Sequence, residues 1–265
     1  MMQRKWNETS KIQGVLFRQE NRFFHFIFFC VCFFFFSCSE NEEPQSVILS
    51  EVLAPFSQSQ LEEVIACAAS KEGDNSIAFI YYYPIPEATN IQYFETSNAN
   101  VDPNDFSNYI LRTLEAENVF GGYLKRFIRS GNDEVFSIVT FEANGKFHKS
   151  NPIRLKQASK PTEYTYDLTI DSSITLMPIF SWNDGVFPDN AIYFQVISDE
   201  NNDFISGTYT FDQWFQYYNL SNVVLDINRE VPESLILNYL YNFSMLAVSL
   251  DNWVNLVIEK PFTAE

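Results

Sequence analysis

The chain has 265 residues and a net charge of −17, from 34 acidic and 17 basic side chains. A protein this acidic is a poor candidate for binding nucleic acid or anionic membrane surfaces through a basic face, and we expect neither activity. Its 27 Phe and 14 Tyr supply ample apolar surface for a core, whereas two His are too few for a His-rich metal site.

An apolar run near the amino end predicts a secretory signal. Residues 23–37 carry no charge, and the preceding segment holds five basic and two acidic residues. A helix that spans a bilayer needs about 20 apolar residues, so this run of about 15 is short for a membrane span. Its length and basic leading segment are those of a signal peptide, which we place at residues 1–37.

The end of this run carries a cleavage and lipidation signal. Phe36-Ser37-Cys38 is followed by the acidic sequence Ser39-Glu40-Asn41-Glu42-Glu43-Pro44. This resembles the lipobox and acidic export signal of surface lipoproteins of the Bacteroidota phylum, although Phe35 and Phe36 depart from the usual residues. The resemblance implies lipidation of Cys38, a lipidated acidic tether over residues 38–47, and a surface-exposed, lipid-anchored outer-membrane protein. The alternative to a cleaved lipoprotein signal is that the apolar run stays in the protein, either as an uncleaved signal anchor or as an apolar hairpin packed inside a soluble protein.

Removal of the signal would leave one thiol in the folded part of the chain. Residues 38–265 would carry a charge of −20, since the leader takes a net +3 away from −17. With Cys30 and Cys32 removed and Cys38 lipidated, Cys67 alone remains. A single thiol forms neither an internal disulfide nor a structural zinc site, so the fold must be held by packing.

The rest of the chain predicts an all-β protein with two sandwich domains, at residues 48–157 and 163–265. Short alternating apolar runs and turns predict strands at 64–69, 77–83, 91–96, 123–129, 135–141, 153–156, 173–180, 191–198, 206–210, 223–227, 241–247 and 253–258. Residues 59–66 fit either a helix that begins with a capping box at Ser59 or a strand. Residues 102–106 predict a turn, with a short helix after it.

Two segments resemble fibronectin type III domains. In the first domain, Phe136, Ile138 and Thr140 alternate, Asn144-Gly145 predicts a tight hairpin, and an apolar segment follows. In the second domain, Leu235 precedes Tyr241 by six residues, which is the spacing of the tyrosine corner of this family. The resemblance implies tandem sandwiches of the immunoglobulin or fibronectin type III class. Phe136 stands where the family usually has tyrosine, so the first domain lacks the bracing hydroxyl.

Candidate catalytic groups are scarce, and we predict that the chain is not an enzyme. A Cys67–His148 pair would need the two side chains to meet in space, and the apolar surroundings of Cys67 favour an inert, buried thiol. Paired carboxylates could serve glycoside hydrolysis, but no motif pairs any two of them. We predict no cofactor.

One acidic loop begins like a calcium loop. Asp199, Asn201 and Asp203 occupy alternate positions, but Phe204 stands where the turn needs Gly, and Thr210 stands where a bidentate Glu belongs. A solvated hairpin loop is the main interpretation, and we predict no metal site, with these three residues as a weak candidate set.

Aromatic residues provide the other candidate site. Residues 211–218 hold five rings between amides and one acid, a composition that suits either a core or stacking on sugars. The candidate stacking residues are Trp182, Trp214, Tyr217 and Trp253.

These expectations define two hypotheses. The first is a lipid-anchored, non-catalytic binding, adhesion or spacer module that meets an unknown protein or glycan. The alternative is a glycan-binding accessory lipoprotein of a polysaccharide-uptake system. Both attach to the membrane through the lipid alone.

Overall fold

The alternating apolar runs form strands in the computed structural model, which describes residues 46–265. The predicted signal peptide, Cys38 and most of the tether lie outside the described residues. Within these residues the single α-helix, α1 (Leu49–Leu53), has five residues, and no helix is long and apolar enough to cross a bilayer. The predicted all-β class is confirmed.

Ten strands lie in the first half of the described chain. They are β1 (Leu61–Val64), β2 (Ala66–Lys71), β3 (Asp74–Tyr82), β4 (Thr89–Glu95), β5 (Ile110–Arg112), β6 (Glu115–Val119), β7 (Leu124–Ser130), β8 (Phe136–Ala143), β9 (Lys146–Ser150) and β10 (Ile153–Arg154).

Nine strands lie in the second half. They are β11 (Glu163–Thr165), β12 (Thr169–Asp171), β13 (Ile179–Ser181), β14 (Asn190–Asp199), β15 (Phe204–Thr210), β16 (Trp214–Gln216), β17 (Val223–Asp226), β18 (Leu240–Ser249) and β19 (Val254–Thr263).

The first half is a sandwich with the strand order of an immunoglobulin domain. Sheet I has the order β1-β9-β8-β4-β5, with β10 beside β8, and sheet II has the order β2-β3-β7-β6. In the lettering of immunoglobulin domains, β2, β3, β7 and β6 correspond to strands A, B, E and D of one sheet. Strands β9, β8 and β4 correspond to strands G, F and C of the other sheet, so the strand order is the immunoglobulin arrangement. Strand β1 pairs in parallel with β9 and closes one edge of sheet I.

The second half repeats this plan unequally. Sheet III is large, with the order β11-β19-β18-β14-β15-β17, and its first strand again pairs in parallel with its neighbour. Sheet IV contains three strands of three residues each, in the order β12-β13-β16. The two sheets enclose a core that contains Phe180, Phe243 and Ile258.

The four sheets are stacked in the order I, II, III, IV. One core, with Ile80 and Val139, fills the space between sheets I and II. A second core, with Ala69, Leu124 and Phe194, joins sheet II of the first half to sheet III of the second half. The two sandwiches therefore pack face to face, and sheets II and III are both covered on both faces.

This double burial explains an unusual sequence pattern. Along β3, Ala78, Ile80 and Tyr82 face the core of the first sandwich, while Tyr81 packs toward the second half. A strand that is covered on both faces is apolar at nearly every position instead of alternating with polar residues. This burial explains why residues 65–69 (Ile-Ala-Cys-Ala-Ala) and residues 77–83 (Ile-Ala-Phe-Ile-Tyr-Tyr-Tyr) contain no charged side chain.

The predicted tight hairpin in the first half is confirmed. Asn144 and Gly145 have φ angles of 53° and 71° and form the two-residue turn between β8 and β9. A short hydrophobic layer that includes Leu49 of α1 and Phe94 covers the outer face of sheet I.

Residues 59–66 form neither one helix nor one strand: a 3₁₀ turn ends at Gln60, β1 follows, and Ala66 already begins β2 in the other sheet. The capping box lies at Ser57 and Gln60, where it begins a single 3₁₀ turn and not an α-helix. The predicted strand at residues 173–180 is wrong over most of its length, since β13 begins only at Ile179.

The predicted tyrosine corner is present in the second half. The backbone N–H of Ile236 donates to the Tyr241 hydroxyl at 3.0 Å, and Leu235 is buried beside the core. This bond fixes the chain where it enters β18, as in other immunoglobulin-like sandwiches.

Removal of this hydroxyl tests its contribution. Tyr241→Phe keeps the buried ring and loses the bond to Ile236, so we expect a loss of about 1 kcal/mol in the free energy of unfolding. Urea unfolding followed by circular dichroism measures it. Tyr239→Phe is the control, because Tyr239 is exposed, and an equal loss in both variants would contradict the role of the corner.

Candidate functional site

The hairpin tip between β18 and β19 enters the first sandwich. Trp253 is fully buried, and its ring lies in the core between sheets I and II. Its indole Nε1 donates to the carbonyl oxygen of Lys160 at 2.8 Å. A residue of the second half therefore completes the core of the first half.

Backbone and charged contacts hold this hairpin tip in place. The Ala68 N–H donates to the Asn252 carbonyl oxygen at 2.9 Å, and the Arg154 N–H donates to that of Asp251 at 3.0 Å. The Lys156 ammonium lies 2.6 Å from the Asp251 carboxylate. The contacts join the last hairpin of the chain to β2 and to the end of the first sandwich.

The segment that connects the two halves, residues 157–162, also packs against the first sandwich. Gln157 is fully buried, and its side-chain amide donates to the Gly131 carbonyl oxygen at 2.7 Å. The Thr162 N–H donates to the Ser70 hydroxyl at 2.7 Å, and the Ser70 N–H donates to the Thr162 hydroxyl at 2.9 Å. This segment is thus part of the interface between the sandwiches.

A second cluster, the Tyr123 cluster, joins the halves elsewhere. The Tyr123 ring stacks on Phe204 with centroids 3.6 Å apart and planes within 4°, and the Arg229 guanidinium lies 4.3 Å from the same ring centroid. The Tyr123 hydroxyl donates to the Ile227 carbonyl oxygen at 2.7 Å and accepts from the Arg229 N–H at 2.9 Å. Tyr123 is therefore held by ring stacking and by two hydrogen bonds at once.

Sheets II and III are not in contact over the whole of their facing surfaces. They enclose a crevice of about 340 Å³ whose walls come from both halves. The sheet II wall includes Cys67 and Tyr81, and the sheet III wall includes Tyr209, Ser244 and Leu246. This crevice is the candidate functional site, because binding sites are mostly apolar concavities with a few polar groups.

Burial keeps the hydroxyl and thiol groups of the crevice neutral. It raises the pKa of the Cys67 thiol to about 12, which makes this sulfur inert at neutral pH. It also raises the pKa of Tyr81 to about 12 and that of Tyr209 well above its ordinary value. These groups therefore offer hydrogen bonds and no charge.

Charged groups lie among the lining residues as well. Arg126 donates to Glu117 through Nη2 at 2.7 Å and Nε at 3.0 Å, and its guanidinium lies 3.8 Å from the centroid of the Phe79 ring. Partial desolvation of the carboxyl group raises the pKa of Glu259, and the neighbouring Glu72 raises it further. The arginine already has its counter-charge within the protein.

The four predicted stacking residues do not share a surface. Trp182 and Tyr217 are buried in the core between sheets III and IV, and Trp253 is buried in the first sandwich. Trp214 is half-buried on β16. Stacking on a sugar needs an open ring face, and the burial of three of these rings leaves them none.

The acidic loop predicted as a weak metal candidate is a hydrogen-bonded turn. The Asp199 carboxylate Oδ1 accepts from the N–H groups of Asn201 and Asp203, at 2.9 and 2.8 Å. Asn202 has a φ of 63°, which the tight turn between β14 and β15 requires. Among residues 46–265 no group of three or more His, Cys, Asp or Glu is placed to hold a metal ion.

The structure separates Cys67 from His148. Cys67 packs against the core between sheets II and III. His148 lies on β9 of sheet I, where its ring stacks on Phe141 with centroids 4.7 Å apart. Phe141 belongs to the core between sheets I and II, so sheet II lies between the two side chains. They cannot form a nucleophile–base pair in this arrangement.

Sequence reasoning missed Arg126, Tyr81 and Tyr209 as residues of one site. A signal exists for Tyr81, because Phe79 and Tyr81 occupy alternate positions of β3 and place their rings on one face of the strand. Tyr209 lies more than 100 residues away on sheet III, and no local pattern connects it with them.

Comparison with known proteins adds a general likeness only. No family model and no curated protein matches the chain. The solved structures that are similar include the FN1–FN3 domains of chicken CNTN1, at 11% identity over 78% of this chain and 68% of that one, with a TM-score of 0.27. They also include domains A168–A170 of titin, at 9% identity over 76% of this chain and 67% of that one, with a TM-score of 0.26. At such scores the likeness carries no argument, and the assignment to immunoglobulin-like sandwiches rests on the strand order.

Proposed function

We propose that this chain is a lipid-anchored, surface-displayed binding module without catalytic activity. The observation that carries the proposal is the fusion of the two sandwiches into one block, in which Trp253 of one half completes the core of the other. Such a block offers a fixed surface to a partner. The separation of Cys67 from His148 supports a non-catalytic role.

The face-to-face stack favours binding or adhesion over a spacer role. Sandwiches joined end to end lengthen a molecule, whereas sheet II packed on sheet III shortens it and hides two of the four broad sheet faces. The exposed surface then consists largely of loops and sheet edges, and loops are the places where sandwich domains commonly bind partners.

Glycan binding is not favoured as a second function. Its candidate stacking residues are Trp182, Trp214, Tyr217 and Trp253, and three of these rings are buried.

The anchor has a direct test. We expect metabolic palmitate labelling of the protein in a bacterial host, loss of the label in Cys38→Ala, and full label in the matched control Cys67→Ala. Protease treatment of intact cells should digest the wild-type protein, because the proposal places it on the outside. A label that survives Cys38→Ala, or full protection from protease, contradicts the anchored, surface-displayed form.

The binding role has a separate test. Attachment of cells to one another and to immobilised polysaccharides and proteins is measured for cells that display the wild-type protein and for cells that lack it. We expect at least a severalfold loss of attachment to one of these surfaces without the protein. Equal attachment to all of them contradicts the binding and adhesion role.

A further inference from the structure

We propose that the crevice between sheets II and III binds a small, flat, uncharged molecule of about two fused rings that carries a hydrogen-bonding group. The inference goes beyond surface display, because it concerns residues 46–265 alone and holds whether or not Cys38 carries lipid. It stands on the volume, the walls and the polar groups of the crevice.

The volume sets the size of the ligand. An apolar cavity of about 150 Å³ accepts one benzene ring. The crevice holds about 340 Å³, which corresponds to about two such rings and lies at the lower end of the range of known ligand pockets.

The walls set the shape of the ligand and its apolar character. On sheet III, Phe194 and Tyr209 stack on each other with centroids 4.4 Å apart, and Leu246 and Val257 continue this wall. Sheet II contributes Tyr81 to the opposite wall. A flat molecule between two sheets buries both of its faces against such side chains, which is the favourable arrangement for aromatic rings.

The polar groups set the charge of the ligand. The Tyr81 hydroxyl, the Tyr209 hydroxyl and the Cys67 thiol line the crevice as neutral groups. Arg126 is paired with Glu117, so an entering anion would compete with a carboxylate that is already in place.

Glu259 and Lys260 also line the crevice. The Lys260 ammonium donates to the Leu168 carbonyl oxygen at 2.7 Å, and the Glu259 carboxylate would repel an anion. An entering ion would also lose hydration that the neutral groups replace only in part. An uncharged ligand with a hydroxyl or carbonyl group meets neither cost.

The interface between the two sandwiches is closely packed around the crevice. The crevice is therefore a local space and not a sign of poor packing over the whole interface. Ala69 and Trp253 are fully buried, and the Tyr123 cluster forms a close ring stack. Protein interiors are normally filled, and voids of this size destabilise them. Small side chains at Cys67 and Ser244 keep the space open between walls that are fixed on either side.

Two probes with the same ring system test the proposal on residues 46–265, which contain all the core clusters described above. The probes are 2-naphthol, which is neutral at pH 7, and 2-naphthalenesulfonate, which is an anion. We expect saturable binding of 2-naphthol, measured by its fluorescence, and at least tenfold weaker binding of the sulfonate. Absence of saturable naphthol binding, or equal affinity for the two probes, overturns the proposal.

Substitutions locate the binding. Ser244→Phe places a ring in the crevice from β18, and we expect at least a tenfold loss of affinity for 2-naphthol. Ser221→Phe adds the same ring on an exposed turn and should leave the affinity unchanged. Unchanged affinity in Ser244→Phe, or an equal loss in both variants, overturns the assignment to the crevice.

The wild-type protein supplies a measurement that does not depend on the folding of any variant. Cys67 is the one thiol of residues 46–265 and lines the crevice. Because the raised pKa of Cys67 leaves little thiolate at pH 8, its reaction with methyl methanethiosulfonate is slow and is followed over hours. We expect saturating 2-naphthol to slow this reaction further, by at least fivefold. An unchanged rate overturns the proposal.

Discussion

Replacement of Trp253 by alanine is expected to destabilise the whole described unit by about 3–5 kcal/mol, the usual cost of removing a large buried aromatic side chain. The ring is fully buried in the core of the first sandwich, although it belongs to the last hairpin of the second. The substitution also leaves the Lys160 carbonyl oxygen without its indole donor. Urea unfolding of the wild-type protein and of Trp253→Ala, followed by fluorescence and circular dichroism, measures the change.

Trp214→Ala is the matched control, because Trp214 is only half-buried. We expect it to cost about 1 kcal/mol, which is the centre of the distribution for single substitutions. Equal losses in the two variants would show that Trp253 does not complete the first core.

Separation of the chain into residues 46–160 and 161–265 is expected to abolish cooperative unfolding of both pieces. The first piece lacks Trp253 and exposes the face of sheet II that carries Cys67 and Tyr81, and the second exposes the apolar face of sheet III. Large exposed apolar faces lead to association or loss of fixed structure. Thermal unfolding followed by near-ultraviolet circular dichroism provides the measurement.

The control for this experiment is the intact unit of residues 46–265, for which we expect a single transition by every probe. Two separate sharp transitions from the isolated pieces, at the temperature of the intact unit, would show that the sandwiches are independent domains. The boundaries predicted from sequence would then be sufficient to describe the folding units.

Features with local causes were predictable from the sequence. The turn at Asn144-Gly145 follows from the positive φ angles that these residues tolerate, and the tyrosine corner follows from the spacing of Leu235 and Tyr241. The all-β class follows from the many short apolar runs. Each of these inferences uses residues that are close together in the chain.

The arrangement of the halves was not predictable in the same way. The runs that contain Cys67 and Tyr81 indicate burial on both faces, but nothing local identifies sheet III as the covering surface. Trp253 likewise has the pattern of any ring near a turn, and the core that it fills belongs to residues at least 98 positions earlier. The crevice could not be predicted, because its walls come from both halves.

Short strands were missed for a different reason. β12, β13 and β16 have three residues each, which is too few for an alternating pattern to be visible. Their place is set by pairing within sheet IV and by the core beneath Phe180 and Phe215. Tertiary packing decides such segments.

The position of Trp253 also has a consequence for the order of folding. A ribosome delivers the first sandwich before the second, yet the interior of the first sandwich lacks this indole until the hairpin of β18 and β19 has been made. Contacts between such distant positions form slowly, because a long loop must close before they contribute. The nascent first half therefore stays incomplete until then, and formation of this one hairpin completes both sandwiches together.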